Sequence, residues 1–489
     1  MSTIPVEPWM QELWDWEDKY HLTNPLPRHP EALKNLETLN ISLKKNLSSL
    51  GSKTIDLPKS IYNLKNLKEL HIKKFPISHL SENIERLDQL EVITVELGTL
   101  SKLPENIGNL DKLKFVSLNV TNLLLLPASM SQLEGLSLHL TNNSTGILST
   151  GLKRCISSLS NLVSLKITLN TRSLHHKPDI DKAINNDLLD MDLTNLSNLI
   201  KLTIESNTLV LSENIGDISS LEHLTLICHN LTYLPKSIKR LSNLKELTLE
   251  LSDDFDNLPK TITALTKLER LFILSGKNIE LSESIDNLTA LKYLYIVGLS
   301  YIPKSIGGLP SLTNLDIQYS PLLQSIPDSL FTSINLAYLS LDGCSLTALP
   351  HSLGNLSNLI QLNISKTPLA SIPDSIGNLK HLEELSIYKS QITTLPVSIG
   401  NLKSLVTLDL ERNCINELPN TISNLKNVQI LNLSYNRLEQ LPDSLTKLES
   451  LRKIYLKGNS LTCISSASKE LLMRIDMHNS QSWKELPVC

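Results

Sequence analysis

The sequence contains little of several features that define common classes of protein. Aromatic residues make up 4% of the 489 residues, and only 16 are glycine. No apolar run approaches the roughly 18 residues that a membrane-spanning helix needs, so we expect no transmembrane segment. The first residues, MSTIPVEPWMQELWDWEDKY, are acidic and lack the basic start and apolar stretch of a signal peptide.

The spacing of the cysteines and the net charge exclude further classes of protein. The six cysteines are scattered, with no CxxC pair, which indicates reduced thiols in a cytosol-like compartment rather than a disulfide framework. The 46 Lys and Arg residues nearly balance the 50 Asp and Glu residues. We therefore expect no nucleic-acid partner and no anionic membrane partner, because neither would find a basic surface.

Catalytic and cofactor motifs are also missing. The sequence has no HExxH, GxGxxG or P-loop pattern, and the thiol of Cys344 falls at a position better explained by structure. A metal site at His175 and His176 with Asp179 and Asp181 is an alternative, but a solvated polar loop explains these residues more simply. The sequence predicts no enzyme, no catalytic residues, no metal and no cofactor.

What the chain does have is a repeat. Leu-Pro or Ile-Pro pairs begin at residues 349, 372, 395, 418 and 441, so each step is 23 residues. Between them runs the pattern LxxLxL, as in LVTLDL (405–410) and LIQLNI (359–364), and we count eighteen such segments from residue 36 onwards. A fixed period of this length is typical of a solenoid, in which stacked coils share one core.

Each coil can be interpreted in physical terms. The alternation in LxxLxL predicts a short strand with leucines inward and the intervening side chains outward. An Asn follows several strands, as at Asn413, Asn436 and Asn459, where its amide can satisfy backbone groups of neighbouring coils. Other coils carry a hydroxyl residue, Cys344 or Phe75 at this position, which we call the ladder position.

The sequence LPVSIGNLKSLVTLDLERNCINELP (395–419) resembles the 23-residue class of leucine-rich repeats, found in intracellular Ras-linked scaffold proteins and in many bacterial proteins. The resemblance implies an α/β solenoid: a leucine-rich repeat horseshoe with a concave parallel β-sheet, short helical or 3-10 arcs on the convex side and a helix capping each end. It implies binding of a protein partner rather than catalysis.

We expect three regions. Residues 1–34 form an N-terminal capping helix and lead-in, because Trp9, Leu13, Trp16 and Tyr20 share one helix face. Residues 35–465 form the solenoid, with about 18 coils and an irregular insertion near residues 139–198. Residues 466–489 form a C-terminal cap, which leaves no room for a catalytic domain.

Tyrosines concentrate on the predicted concave face. The third, fifth and seventh positions of each LxxLxL segment point into the hollow. The core does not require particular side chains there, so these residues can be suited to a binding partner. Successive strands lie about 4.8 Å apart, so we expect Phe272, Tyr293, Tyr295 and Tyr338 to form one patch. The alternative is that tyrosine simply suits a β surface. The complete set of predicted binding residues is Arg270, Phe272, Tyr293, Tyr295, Tyr319, Tyr338 and Tyr388.

The function predicted from these observations is a non-enzymatic, cytoplasmic scaffold or adaptor that binds a protein on its concave face. One form of this hypothesis is a bacterial effector that is secreted into a host cell and binds host proteins. The alternatives are a signalling regulator of the Ras-linked type, or a ligand-binding or metal-binding protein that uses the 170–188 insertion.

Overall fold

The computed structural model describes residues 5–43, 54–98, 100–120, 123, 125–142, 148–169, 191–206, 211–228, 231, 233–251, 258–475 and 487–488. The chain forms two compact units. The first comprises Met1–Leu244 with Thr248–Glu250, and the second comprises Lys245–Leu247 with Leu251–Cys489. Both units are built from repeated coils with one short strand each, which confirms the open solenoid predicted from the 23-residue period.

In the first unit each strand pairs in parallel with the next, as in the register Thr38↔Glu69 and Glu69↔Val92. Its strands are β1 (Thr38–Ser42), β2 (Glu69–Lys73), β3 (Val92–Gly98), β4 (Phe115–Val120), β5 (Leu136–Asn142), β6 (Leu162–Leu169), β7 (Lys201–Ser206) and β8 (His223–Cys228). Its helices are α1 (Pro8–Tyr20), α2 (Pro30–Lys34) and α3 (Thr150–Ser157).

The second unit continues the same pattern with a regular register. The residues paired across its strands stand 23 apart in several coils, as in Thr407↔Ile430 and Ile430↔Lys453. The strand β9 (Glu246–Leu251) contains the division between the units. The later elements are β10 (Arg270–Glu280), β11 (Tyr293–Tyr301), β12 (Asn314–Gln318), β13 (Tyr338–Asp342), β14 (Gln361–Ser365), β15 (Glu384–Tyr388), β16 (Thr407–Asp409), β17 (Ile430–Asn432), β18 (Lys453–Tyr455) and the helix α4 (Ser466–Arg474).

The convex arcs are single 3-10 turns, and most of them follow the proline of the Leu-Pro or Ile-Pro pair. Pro396, for example, is extended, with φ −66° and ψ 147°, and the turn starts at the next residue. Proline suits this place because it has no N–H to pair and its φ is already set. In the described residues the turns are Lys59–Asn63, Glu82–Arg86, Glu105–Asn109, Ala128–Gln132, Glu213–Asp217, Lys236–Arg240, Lys260–Ala264, Ile285–Asn287, Lys304–Gly308, Asp328–Thr332, His351–Asn355, Asp374–Asn378, Val397–Asn401, Asn420–Asn424 and Asp443–Lys447.

The inward leucines form the core, and the asparagines form a ladder beside it. Leu405, Leu408 and Leu410 are fully buried. Asn436 donates from Nδ2 to the carbonyl oxygens of Leu410 (2.8 Å) and Leu433 (3.1 Å), and its Oδ1 accepts the backbone N–H of Ile415 (3.0 Å). One side chain thus satisfies buried backbone groups of two coils that the strands do not reach.

Other residues at the ladder position take the place of the asparagine in different ways. The hydroxyl of Ser320 accepts the backbone N–H of Leu299 (2.8 Å) and donates to the carbonyl of Gln318 (3.0 Å). Phe75 makes no such bond and is instead fully buried, with its ring centroid 5.8 Å from that of Trp16 in α1. An apolar residue is tolerated there because an aromatic helix face covers it.

The helices near the two ends bury apolar faces. In α1 the buried residues are Met10, Leu13, Trp14, Trp16 and Glu17, whereas Trp9 is partly exposed and donates its indole N–H to Glu7. In α4 they are Ser468, Leu471 and Leu472. The expectation that all six cysteines are free thiols is wrong at Cys463, which is disulfide-bonded.

Candidate functional site

The predicted binding residues fall mainly on adjoining strands of the second unit. Arg270 and Phe272 lie on β10, Tyr293 and Tyr295 on β11, and Tyr338 on β13. The register places Arg270 beside Tyr293 and Phe272 beside Tyr295. Because side chains alternate along a strand, the third and fifth positions of these coils share one face of the sheet. We call this the concave face.

Three rings on this face form one cluster. The ring centroid of Phe272 is 5.2 Å from that of Tyr293 and 6.3 Å from that of Tyr295, in tilted orientations. All three side chains are half-buried. The hydroxyl of Tyr295 donates to Oε1 of Gln318 at 3.3 Å. The cluster therefore presents a rigid aromatic surface to solvent on the side away from the leucine core.

Tyr338 stands apart from the cluster, across a cavity. The strand β12 separates it from Tyr293, because Asn314 pairs with both residues. Two strand spacings put the backbones of the two tyrosines about 10 Å apart. The cavity between them has a volume of about 290 Å³. Its polar lining consists of Asn314, Asp316, Gln318, Ser340, Gln361 and Asn363.

Asp316 is the anionic residue of that lining. Both of its carboxylate oxygens accept hydrogen bonds from Nε2 of Gln318, at 3.3 and 3.2 Å. Burial raises the pKa of the Asp316 carboxyl, and the nearby carboxylate of Asp342 raises it further, against hydrogen bonds from Ser340 and Gln318 that lower it. Among the described residues no cation lies within ion-pair distance of Asp316.

Two cations of neighbouring coils, Arg270 and Lys366, already have anionic partners. Arg270 forms two contacts of 2.7 Å with Glu246, one through Nε and one through Nη2. Lys366 forms an ion pair of 3.0 Å with Oδ2 of Asp342, while Oδ1 of Asp342 is buried without a hydrogen-bond partner. Neither of these cations is therefore paired with Asp316, the carboxylate in the lining of the cavity.

Two of the predicted site residues lie away from the cluster. Tyr319 follows β12 in the left-handed region, with φ 44°, and is 57% exposed. Its ring lies under Nζ of Lys366, 5.1 Å from the centroid, a cation–π contact. Tyr388 is at the end of β15, three strands beyond β12. Neither residue lines the cavity.

The polar lining between the tyrosines is not among the residues predicted from the sequence. Asn314 and Asp316 occupy the third and fifth positions of LTNLDI (312–317), which the repeat directs into the hollow, whereas the predicted site consists of aromatic residues and Arg270. The signal available was the coincidence of an aspartate and amides on the strands that separate two tyrosines.

The described residues give information on the Cys344 thiol and on possible metal ligands. Burial raises the pKa of the Cys344 thiol to about 12, so it is protonated at neutral pH and unsuited to act as a nucleophile. No group of three or more His, Cys, Asp or Glu side chains in the described ranges is placed to hold a metal ion. The residues of the alternative metal site, His175, His176, Asp179 and Asp181, lie outside those ranges, as does the whole of the 170–188 insertion.

A family model described as a leucine-rich repeat region matches residues 46–251, 210–336, 328–409 and 375–473. The chain belongs to the leucine-rich repeat family. The matched ranges include the strands from β2 to β18 of the observed coils. Proteins of this architecture serve in general as protein-interaction scaffolds, and this chain has the architecture over nearly all of its described length.

Two other proteins are similar in sequence to part or nearly all of this chain. An adenylate cyclase of Schizosaccharomyces pombe is 30% identical over 191 residues, 38% of this chain, but this covers only 10% of that protein. The match therefore gives no reason to expect cyclase activity here. A leucine-rich repeat protein of Leptospira interrogans is 24% identical over 98% of this chain and 100% of its own, with a TM-score of 0.49.

The solved complex of Toll and Spätzle from Drosophila contains a chain with a higher TM-score, 0.67, at 17% identity. The alignment covers 88% of this chain and 61% of that one. This likeness concerns the fold alone. Within the described ranges, no helix is both long enough and apolar enough to cross a bilayer.

Proposed function

We propose that this protein is a non-enzymatic scaffold that binds a protein partner through the concave face of its second unit. The binding surface is centred on the cluster of Phe272, Tyr293 and Tyr295, with Tyr338 on the other side of the cavity. The observation that carries the proposal is the cluster itself. Its rings pack on one another outside the leucine core, so the core of these coils is complete without them.

The chemistry of this surface suits a protein interface. Tyrosine offers a large contact area with a polar tip and loses little conformational entropy when bound, and aromatic residues are common anchors of interfaces. A preformed β surface also needs little reorganisation on binding. The predicted members Arg270, Tyr319 and Tyr388 extend the proposed surface outward from the cluster, as peripheral contacts.

The test is a double variant. A partner is first identified by affinity purification with mass spectrometry and then purified, so that its dissociation constant can be measured by calorimetry. We expect Tyr293→Ala with Tyr295→Ala to weaken binding at least tenfold, because interface aromatic residues are worth about 1–2 kcal/mol or more each. The melting temperature should fall by only a few degrees, because both side chains are half-buried and lie outside the core.

The matched control is Tyr435→Ala with Tyr455→Ala, which removes two tyrosines from later coils of the same unit. It should leave the affinity unchanged. A partner that binds the Tyr293 and Tyr295 double variant with the wild-type dissociation constant would show that the cluster is only structural.

The identity of the partner separates the two more specific hypotheses. An effector delivered by a bacterium would bind a host protein, whereas a regulator of the Ras-linked type would bind a small GTPase or a kinase. The same purification from host-cell and bacterial lysates, followed by reconstitution with pure proteins, distinguishes them. In either case the double variant should lose the interaction.

A further inference from the structure

The cavity between Tyr293 and Tyr338 has the chemistry of a site for one side chain. Its volume of about 290 Å³ is at the small end for ligand pockets, so it suits a single extended group better than a whole small molecule. The two aromatic residues flank it, and the polar side chains between them are four amides, one carboxylate and one hydroxyl, each of which has an oxygen acceptor. Such groups accept hydrogen bonds and attract positive charge.

We propose that this cavity binds the guanidinium group of an arginine side chain presented by the protein partner. The inference rests on the proposed function, and it adds the class of residue that the partner must offer. Asp316 would accept hydrogen bonds from the guanidinium, while Tyr293 and Tyr338 would flank its planar face.

Charge complementarity is the first argument. Asp316 is half-buried, has no cationic partner among the described residues, and lies near a second carboxylate, that of Asp342. Two cations of neighbouring coils, Arg270 and Lys366, are already paired with Glu246 and Asp342. An incoming cation would therefore meet an uncompensated anion, and a desolvated charge gains most from a paired partner.

Shape is the second argument, and it favours arginine over lysine. Tyrosine side chains on both sides suit a flat cation, because a guanidinium can stack on aromatic rings and a cation over a ring is attracted by its quadrupole. The side chains of Asn314, Gln361 and Asn363 line the cavity together with Asp316, and each amide has an oxygen that can accept hydrogen bonds. Arginine has five N–H donors in a fixed plane and can use several such acceptors together, whereas an ammonium group has three donors.

The test uses the full-length protein labelled with 3-fluorotyrosine, with the fluorine signals of Tyr293 and Tyr338 assigned from Tyr→Phe variants. The probes are two peptides, acetyl-Ala-Arg-Ala-amide and the same peptide with citrulline, which is nearly isosteric with arginine but uncharged. We expect the arginine peptide to shift the signals of Tyr293 and Tyr338 and to bind at least tenfold more tightly than the citrulline peptide.

The decisive variant is Asp316→Asn, which keeps the size of the side chain and removes its charge. It should abolish the preference for arginine. The matched control is Asp409→Asn, because Asp409 occupies the equivalent position on β16, and burial likewise raises the pKa of its carboxyl. This variant should keep the preference.

Three results would overturn the proposal: no shift of the two tyrosine signals at any soluble peptide concentration, equal affinity for the two peptides, or a preference for arginine that survives in Asp316→Asn. Failure here is distinguishable from failure of the proposed function. If the purified partner still depends on Tyr293 and Tyr295 but binds Asp316→Asn normally, the scaffold function stands and the arginine site is wrong.

Discussion

Asp316 shows what a single residue contributes on the concave face. The repeat only requires that its position point away from the core, and threonine or serine fills the equivalent position in many coils. An aspartate there is partly desolvated and lies near Asp342, so its charged form is disfavoured. A side chain that costs stability without helping the coil to close is a candidate for a functional role.

At this scale we predict that Asp316→Asn stabilises the free protein at neutral pH. The folded-state pKa of the carboxyl is raised, so folding favours its protonated form and the wild type loses stability as pH rises through that pKa. We expect the melting temperature of the variant to exceed that of the wild type by roughly 1 °C at pH 7. The difference should shrink as the pH falls towards about 4, where an ordinary aspartate becomes protonated.

Differential scanning calorimetry of both proteins between these pH values checks this. A variant that melts below the wild type at pH 7, or a gap that widens on acidification, would mean that the Asp316 carboxylate stabilises the fold.

At the scale of the element, neighbouring 3-10 turns are packed against each other through glycine. Gly400 lies in the turn Val397–Asn401, and a Cβ placed on it would be 2.3 Å from the carbonyl oxygen of Thr421 in the next turn. The hydroxyl of Thr421 in turn donates to the carbonyl of Val397 at 2.7 Å. The convex side is therefore closed by backbone contact, and any side chain at residue 400 would push the two turns apart.

We predict that Gly400→Ala destabilises the protein by about 1–3 kcal/mol, the usual cost of forcing extra atoms into a packed site. The matched control is Val397→Ala in the same turn, since Val397 is 66% exposed and exposed substitutions change stability by about 0.5 kcal/mol or less. Urea unfolding of both variants measures the difference. Equal stability of the two would show that the turns can separate without loss.

At the scale of the whole molecule, a stack of coils needs cover where its core would otherwise meet water. In the first unit this cover includes α1, where Trp16 is 9% exposed and contacts Phe75 and Tyr20, each with ring centroids 5.8 Å away. Some of the chain's few aromatic residues thus form two groups in different places. One group seals α1 against a coil of the first unit, and the other lies on the concave face of the second.

We predict that Trp16→Ala lowers the free energy of unfolding by about 3–5 kcal/mol, as expected for truncating a large buried aromatic residue. Hydrogen exchange should quicken in β1 and β2, the strands nearest to this contact. The control is Trp9→Ala on the same helix, because Trp9 is only partly buried. If both variants exchange and unfold alike, α1 does not protect the coils beneath it.

The sequence by itself determined the coils. A 23-residue period gives equivalent leucines of successive coils the same place in the core and sets each strand beside the next. The parallel register, the buried core and the ladder at Asn413, Asn436 and Asn459 all followed from this period. It also determined which positions face outward, because side chains alternate along a strand. These features were predictable because every coil repeats the same local geometry.

Only the tertiary structure decided which contacts the outward-facing residues make with one another. It separated Tyr338 from the cluster, turned Tyr319 towards Lys366, paired Arg270 with Glu246 and left Asp316 without a cation. The physical reason is that a repeat specifies the backbone position of a side chain and the face of the sheet from which it projects. The contacts of that side chain depend on the residues of the adjoining strands, and those residues do not repeat.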